Sequence, residues 1–135
     1  MLEENKINNI LKSLDIPNRF KFKIFESLER VDKYNSDLEL NSVYLFGSCA
    51  KGLADFGSDI DLLLLTNCTD ERKIRLKCLH YDLEDDISSI PIQIIVRNIE
   101  SWNDDNDPTG FKKTVKQSAI KMIDYNNRKG VEDYV

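Results

Sequence analysis

Long apolar runs are missing from this chain of 135 residues. No stretch approaches the ~18 consecutive apolar residues of a membrane-spanning helix, so no membrane segment is expected. The opening residues, Met1-Leu2-Glu3-Glu4-Asn5, form neither a basic cluster nor an apolar stretch. No secretory signal is therefore expected, and the cytoplasm is the expected location. Cysteine is sparse and odd in number: Cys49, Cys68 and Cys78. Their spacing does not suit a metal site, and they are read as reduced thiols of a cytosolic protein. Positive charge is short as well. Lys and Arg number 19 against 24 Asp and Glu, for a formal charge of −5. General nucleic-acid binding relies on cations that neutralise phosphates, so it is not expected here. Internal repeats, low-complexity tracts and interdomain linkers are absent. The length suits one domain able to bury its own core. A single domain over residues 1–135 is expected, with a helical N-terminal segment 1–38 and a core 40–126.

What is present alternates between helical and strand-like patterns. Ile7, Ile10, Leu11 and Leu14 fall on one stripe of a helix over 2–14. Pro17 opens a second helix to about residue 34, burying Phe20, Ile24, Leu28 and Val31. Residues 41–46 read as a strand stopped by Gly47, with a helical turn over 49–53 and a loop over 55–58. Residues 59–66 make a second strand, apolar enough to be central in a sheet. Thr69 or Asp70 caps a helix to about residue 86, its wide apolar face made by Ile74, Leu76, Cys78, Leu79, Tyr81 and Leu83. Pro91 precedes a third strand over 92–96, and a helical turn covers 99–102. After a break at 107–110, a last helix over 111–126 buries Phe111, Val115, Ala119, Met122 and Ile123. Residues 128–130 read as a frayed tail. The expected class is α+β: a small sheet layered with helices.

Two short patterns carry chemistry. The first strand ends in Leu45-Phe46-Gly47-Ser48, and ten residues separate Ser48 from Asp59-Ile60-Asp61. Residues two apart on a strand share a face. Ile60, Leu62 and Leu64 form one row; Asp59 and Asp61 form the other, continued by Leu63 and Leu65. Two like charges ~5 Å apart repel by roughly 3 kcal/mol at an effective dielectric near 20. A strand that keeps such a pair usually has a cation to hold, and magnesium takes carboxylates together with phosphates and water. Gly47 lets the backbone turn sharply, Ser48 offers a hydroxyl, and Lys51 a positive charge for the same anion. Alone, an Asp-x-Asp is most often a solvated strand end and a Gly-Ser a turn. Together, at the junctions of two apolar strands, they point to a site.

The stretch Phe46-Gly47-Ser48-Cys49-Ala50-Lys51-Gly52 with Ser58-Asp59-Ile60-Asp61-Leu62 resembles the signature of the DNA polymerase beta-like nucleotidyltransferases, in particular their minimal nucleotidyltransferase group. The resemblance implies a small mixed sheet flanked by helices. It also implies that Gly47 and Ser48 contact the phosphates of a nucleoside triphosphate, expected to be ATP, with Lys51 and Ser58 nearby. Asp59 and Asp61 would be the ligands of two Mg2+ ions, and an NMP group would pass to an acceptor hydroxyl as pyrophosphate leaves. Small domains of this kind resemble antitoxins that act with, and often adenylylate, a helical HEPN-type partner. Homo-oligomerisation stays open.

The family places a third acid on the next strand. Here that run is Pro91-Ile92-Gln93-Ile94-Ile95-Val96. Ile92, Ile94 and Val96 form the row that matches Ile60, Leu62 and Leu64, so Gln93 falls on the side of Asp59 and Asp61. An amide oxygen can ligate a metal but carries no charge and is no general base. Glu84, Asp85, Asp86 or Glu100 could substitute, the enzyme could be slow, or the domain could be a nucleotide- or partner-binding module without turnover. The bland reading of residues 84–86 is a solvated acidic helix end. His80 reads as a surface residue, and Trp102 as packing beside the sheet.

Overall fold

The computed structural model describes residues 2–85, 87–104 and 109–125. Among the described residues, six helices and four strands follow one another: α1 (Glu4–Ser13), α2 (Asn18–Lys33), β1 (Leu40–Phe46), α3 (Gly47–Ala50), β2 (Ile60–Thr66), α4 (Glu71–His80), β3 (Ile92–Asn98), α5 (Ile99–Asn103), α6 (Phe111–Ser118) and β4 (Ile120–Asp124). The sheet order is β3-β2-β1-β4. β1 pairs antiparallel with both β2 and β4, and β2 pairs parallel with β3. The sheet is therefore mixed and the class is α+β. No helix among the described residues is long and apolar enough to cross a membrane.

The strand parity read from the sequence holds. Ile60, Leu62 and Leu64 on β2, with Ile92, Ile94 and Val96 on β3, join a core with Ile7 and Leu11 of α1, Phe20, Ile24 and Leu28 of α2, and Ile74 and Cys78 of α4. Leu63 and Leu65 face the other way, into a smaller cluster with Trp102 of α5 and Val115 of α6. Trp102 meets Phe111 edge-on, 6.3 Å between ring centroids, and packs against the sheet as expected.

Three elements differ from the sequence reading. The helix expected over 111–126 stops at Ser118, and residues 120–124 form β4 instead. Ala119 is already extended, and Ile120 pairs with Leu45 and Ile123 with Val43. A register shift between Val43 and Tyr44 leaves the neighbours Met122 and Ile123 both buried. A bulge of this kind breaks the alternation that marks a strand, so the segment imitates helical spacing. Pairing also covers the edge of β1 that three strands would leave open. Residues 126–130, the expected helix end and frayed tail, lie outside the described residues, as do 107 and 108 of the expected break.

The helix expected to reach residue 86 ends at His80. Asp70 caps its start by accepting from the Lys73 N–H at 3.1 Å. At the other end Tyr81 stacks on Tyr34 of α2, 3.9 Å between centroids, and Asp82 takes the left-handed conformation (φ +55°) that terminates a helix. The buried face is accordingly narrower than expected: Ile74 and Cys78 are buried, whereas Leu76 and Leu79 are exposed. His80 is on the surface. The turn expected over 49–53 begins earlier, at Gly47, and ends at Ala50.

Candidate active site

The site forms where three neighbouring strands present their ends side by side. Phe46 of β1 pairs with Asp61 of β2, and Asp61 pairs with Gln93 of β3. Phe46, Asp61 and Gln93 therefore stand in a row across the sheet, about 4.8 Å apart from strand to strand, and Gly47 follows directly after the first of them. Asp59 precedes the first paired residue of β2.

Gly47 takes a backbone φ of +75°, open to glycine and strained for other residues. Its missing side chain also makes room for Asp61. A Cβ built at residue 47 would run into Asp61 Oδ2 and lie 3.2 Å from its Cγ. The bend after β1 is thus seated directly on the second aspartate, which is the proximity that the spacing of the two motifs required.

Asp61 lies close enough to Asp59 to sense its charge. Burial, and then the charge of Asp59, push the Asp61 carboxyl above its ordinary value. Beneath them lies Cys49, fully buried, whose thiol donates weakly to the Asp59 carbonyl oxygen at 3.6 Å. Burial and the charges of Asp61 and Asp59 push that thiol up to about 11. Two neighbouring carboxylates of this kind suit a divalent cation shared by Asp59 and Asp61, with phosphate oxygens completing its shell.

Gln93 takes part in the site in a way that parity alone did not reveal. Its Nε2 donates to Asp59 Oδ2 at 3.1 Å. A carboxylate at residue 93 would repel Asp59 in the absence of a cation; the amide holds it by a hydrogen bond.

The other sequence-selected residues are distributed unevenly. Ser48 follows Gly47 and is half-buried, its carbonyl accepting from the Leu53 N–H at 2.9 Å. Lys51 ends the α3 turn and is exposed. The Ser58 hydroxyl is engaged inside its own loop, accepting from the Asp55 N–H at 3.0 Å and donating to Asp55 Oδ1 at 3.2 Å. Phe56, at the tip of that loop, and Leu53 are exposed apolar residues between the two motifs. An aromatic side chain between Asp55 and Gly57 was the signal available for the first of them.

The described substitute acids are committed elsewhere. Glu84 pairs with Arg75 at 2.5 Å and accepts from the Ile94 N–H at 2.8 Å. Asp85 pairs with Lys23 at 2.9 Å and accepts from the N–H groups of Ser88 and Ile87, contacts that hold it well below the usual carboxylate range, Lys23 foremost. Glu100 follows the far end of β3, roughly 16 Å of strand from Gln93. Asp86 lies outside the described residues. Among the described residues, no group of three or more His, Cys, Asp or Glu side chains could hold a metal. A cleft of about 510 Å³ opens beside Gln93, lined among others by Arg75, Leu79, Glu84 and Ile95.

No curated protein matches the chain. Among solved structures, one described as "Crystal structure of the toxin-antitoxin with AMP-PNP" is similar at 15% identity, covering 76% of this chain and 77% of that one with a TM-score of 0.43. The model of the nucleotidyltransferase domain family matches residues 24–122, which include β1, β2, β3 and both motifs. With most of its length inside that match, the chain belongs to the nucleotidyltransferase domain family.

Proposed function

We propose that this chain is a Mg2+-dependent enzyme that transfers an NMP group from a nucleoside triphosphate, ATP in our reading, to a hydroxyl of a protein partner. The observation that carries the reading is the contact of Gly47 with Asp61, which sets a sharp backbone bend directly against the Asp61 carboxylate. A polyphosphate on that bend would lie within reach of a cation held by Asp59 and Asp61. The residues fit magnesium, since both are hard oxygen donors and lie together at the start of β2. When bound, the ion supplies positive charge to the phosphates and polarises the reacting phosphorus.

The chain's own groups then divide the work. Gly47 admits the triphosphate to the backbone, and Ser48 and Lys51 donate to its oxygens. Asp59 and Asp61 would hold the cation, whose charge would orient the α-phosphate. The acceptor oxygen forms its bond to that phosphorus while the bond to the bridging oxygen breaks, and pyrophosphate leaves with the electron pair. Gln93 cannot take the acceptor proton, so the proton passes to water or to a base on the acceptor. A partner that brings both hydroxyl and base suits this gap, and a HEPN-type protein, of the kind paired with the minimal nucleotidyltransferases that the motif resembles, would supply the acceptor. Incubation with radiolabelled ATP, Mg2+ and the product of the adjacent gene tests this: label should move to the partner and depend on Asp59 and Asp61. Unlabelled partner at every Mg2+ concentration, with the complex demonstrably formed, would overturn it.

A second reading is favoured by the Gln93–Asp59 hydrogen bond. An amide that holds Asp59 without a metal suits a domain that binds a nucleotide or a partner and does not turn over. Thermal stabilisation by ATP with Mg2+ is expected under both readings; label transfer is expected only under the first.

A further inference from the structure

The number of cations is the next question, and its answer rests on the reading above. We propose that the site takes a single divalent cation together with the triphosphate, and that the Gln93 amide closes the place where a second would bind.

The argument starts from which end of the amide faces the aspartates. Gln93 Nε2 lies 3.1 Å from Asp59 Oδ2. The nitrogen end carries two N–H donors and no lone pair for a metal. The space between Asp59 and Gln93 is thus fronted by positive hydrogens. Reversing the amide would set its oxygen against a carboxylate oxygen and lose the bond, so the observed orientation is the one the carboxylate enforces.

On the other side of Asp59 the situation is reversed. Asp61 stands against Gly47, where a bound triphosphate would add oxygens. A cation there meets two carboxylates and the phosphates. One beside Gln93 would have to share the same two aspartates and gain no further carboxylate, because residue 93 is an amide, Glu84 is held by Arg75 and Asp85 by Lys23. The described residues thus build one cation place on the Gly47 side and block the other.

The test uses the full chain with Mn2+ and a non-hydrolysable ATP analogue, the protein in excess over nucleotide. Equilibrium dialysis should find one Mn2+ per bound nucleotide, and electron paramagnetic resonance should show an isolated ion without spin coupling to a neighbour. Gln93→Asp and Gln93→Glu should each admit a second, spin-coupled ion, with circular dichroism reporting that the variants are folded. Two ions on the wild-type chain, or one ion on both folded acidic variants, would overturn the proposal. Absence of any Mn2+-dependent nucleotide binding would instead remove the nucleotidyltransferase reading, and this inference with it.

Discussion

Gly47 and Asp61 are packed so closely that residue 47 admits no side chain: an added Cβ would run into the Asp61 carboxylate. The glycine is required twice over, by that contact and by its positive φ. Bend and carboxylate are therefore a single unit, and a change at either residue should be felt at the other.

Gly47→Ala is expected to lose nucleotide binding and about 1–3 kcal/mol of stability. The left-handed backbone alone costs an L-residue about 1–2 kcal/mol, and displacement of Asp61 adds to it. Urea unfolding and calorimetric titration with ATP and Mg2+ measure the two effects separately. Wild-type nucleotide affinity in this variant would show that the bend does not seat the phosphates.

Asp61→Asn should abolish metal-dependent nucleotide binding while stabilising the ligand-free chain at neutral pH. The Asp61 carboxyl is raised above 3.8 by burial and by Asp59. A raised folded-state value means that the group's stabilising contribution is complete below the unfolded value and is lost as pH rises through the folded one. The excess melting temperature of Asp61→Asn over wild type should thus be smallest below pH 3.8 and grow as pH rises through the folded value. A gap that shrank with rising pH would contradict the assigned burial and repulsion.

Arg75 and Glu84 act together as a substitute strand partner for β3. Arg75 Nη1 donates to the Ile94 carbonyl oxygen at 2.8 Å while Glu84 accepts from the Ile94 N–H at 2.8 Å. Both outward backbone groups of one edge residue are thereby satisfied. Glu84→Ala should destabilise the chain by about 1–3 kcal/mol, the range for leaving a polar partner unsatisfied. Light scattering should show more self-association. Metal-dependent nucleotide binding should stay at the wild-type level, and its loss would return Glu84 to the list of candidate ligands.

Thiol labelling of the folded chain at pH 8 should modify Cys68 first. Cys49 and Cys78 are fully buried, and burial is the leading cause that pushes each thiol up to about 11. Little thiolate exists at either residue, and reagent cannot reach it. Mass spectrometry of the labelled peptides checks the order. Rapid modification of Cys49 would mean that the floor beneath Asp59 and Asp61 is open.

Local pattern alone was enough for α1, α2, the positions of β1, β2 and β3, and the side of the sheet that carries Asp61 and Gln93. Those features follow from side-chain periods of 3.6 and 2, which neighbouring residues express without help. β4 was not legible, because a bulge opposite Val43 and Tyr44 erases its alternation and because only the free edge of β1 makes residues 120–124 extend. The end of α4 at His80 was hidden too, since it depends on Asp82 turning left-handed while Tyr81 stacks on Tyr34, a residue far away in the chain. In the site, sequence determined which donors are present: two aspartates, one amide, a glycine and a serine. Tertiary structure decided their use. It turned the Gln93 nitrogen toward Asp59, set Asp61 into the gap at Gly47, and engaged Glu84 and Asp85 with Arg75 and Lys23. A residue's chemistry belongs to the chain, but its partner is chosen by contacts between segments that the chain order keeps apart.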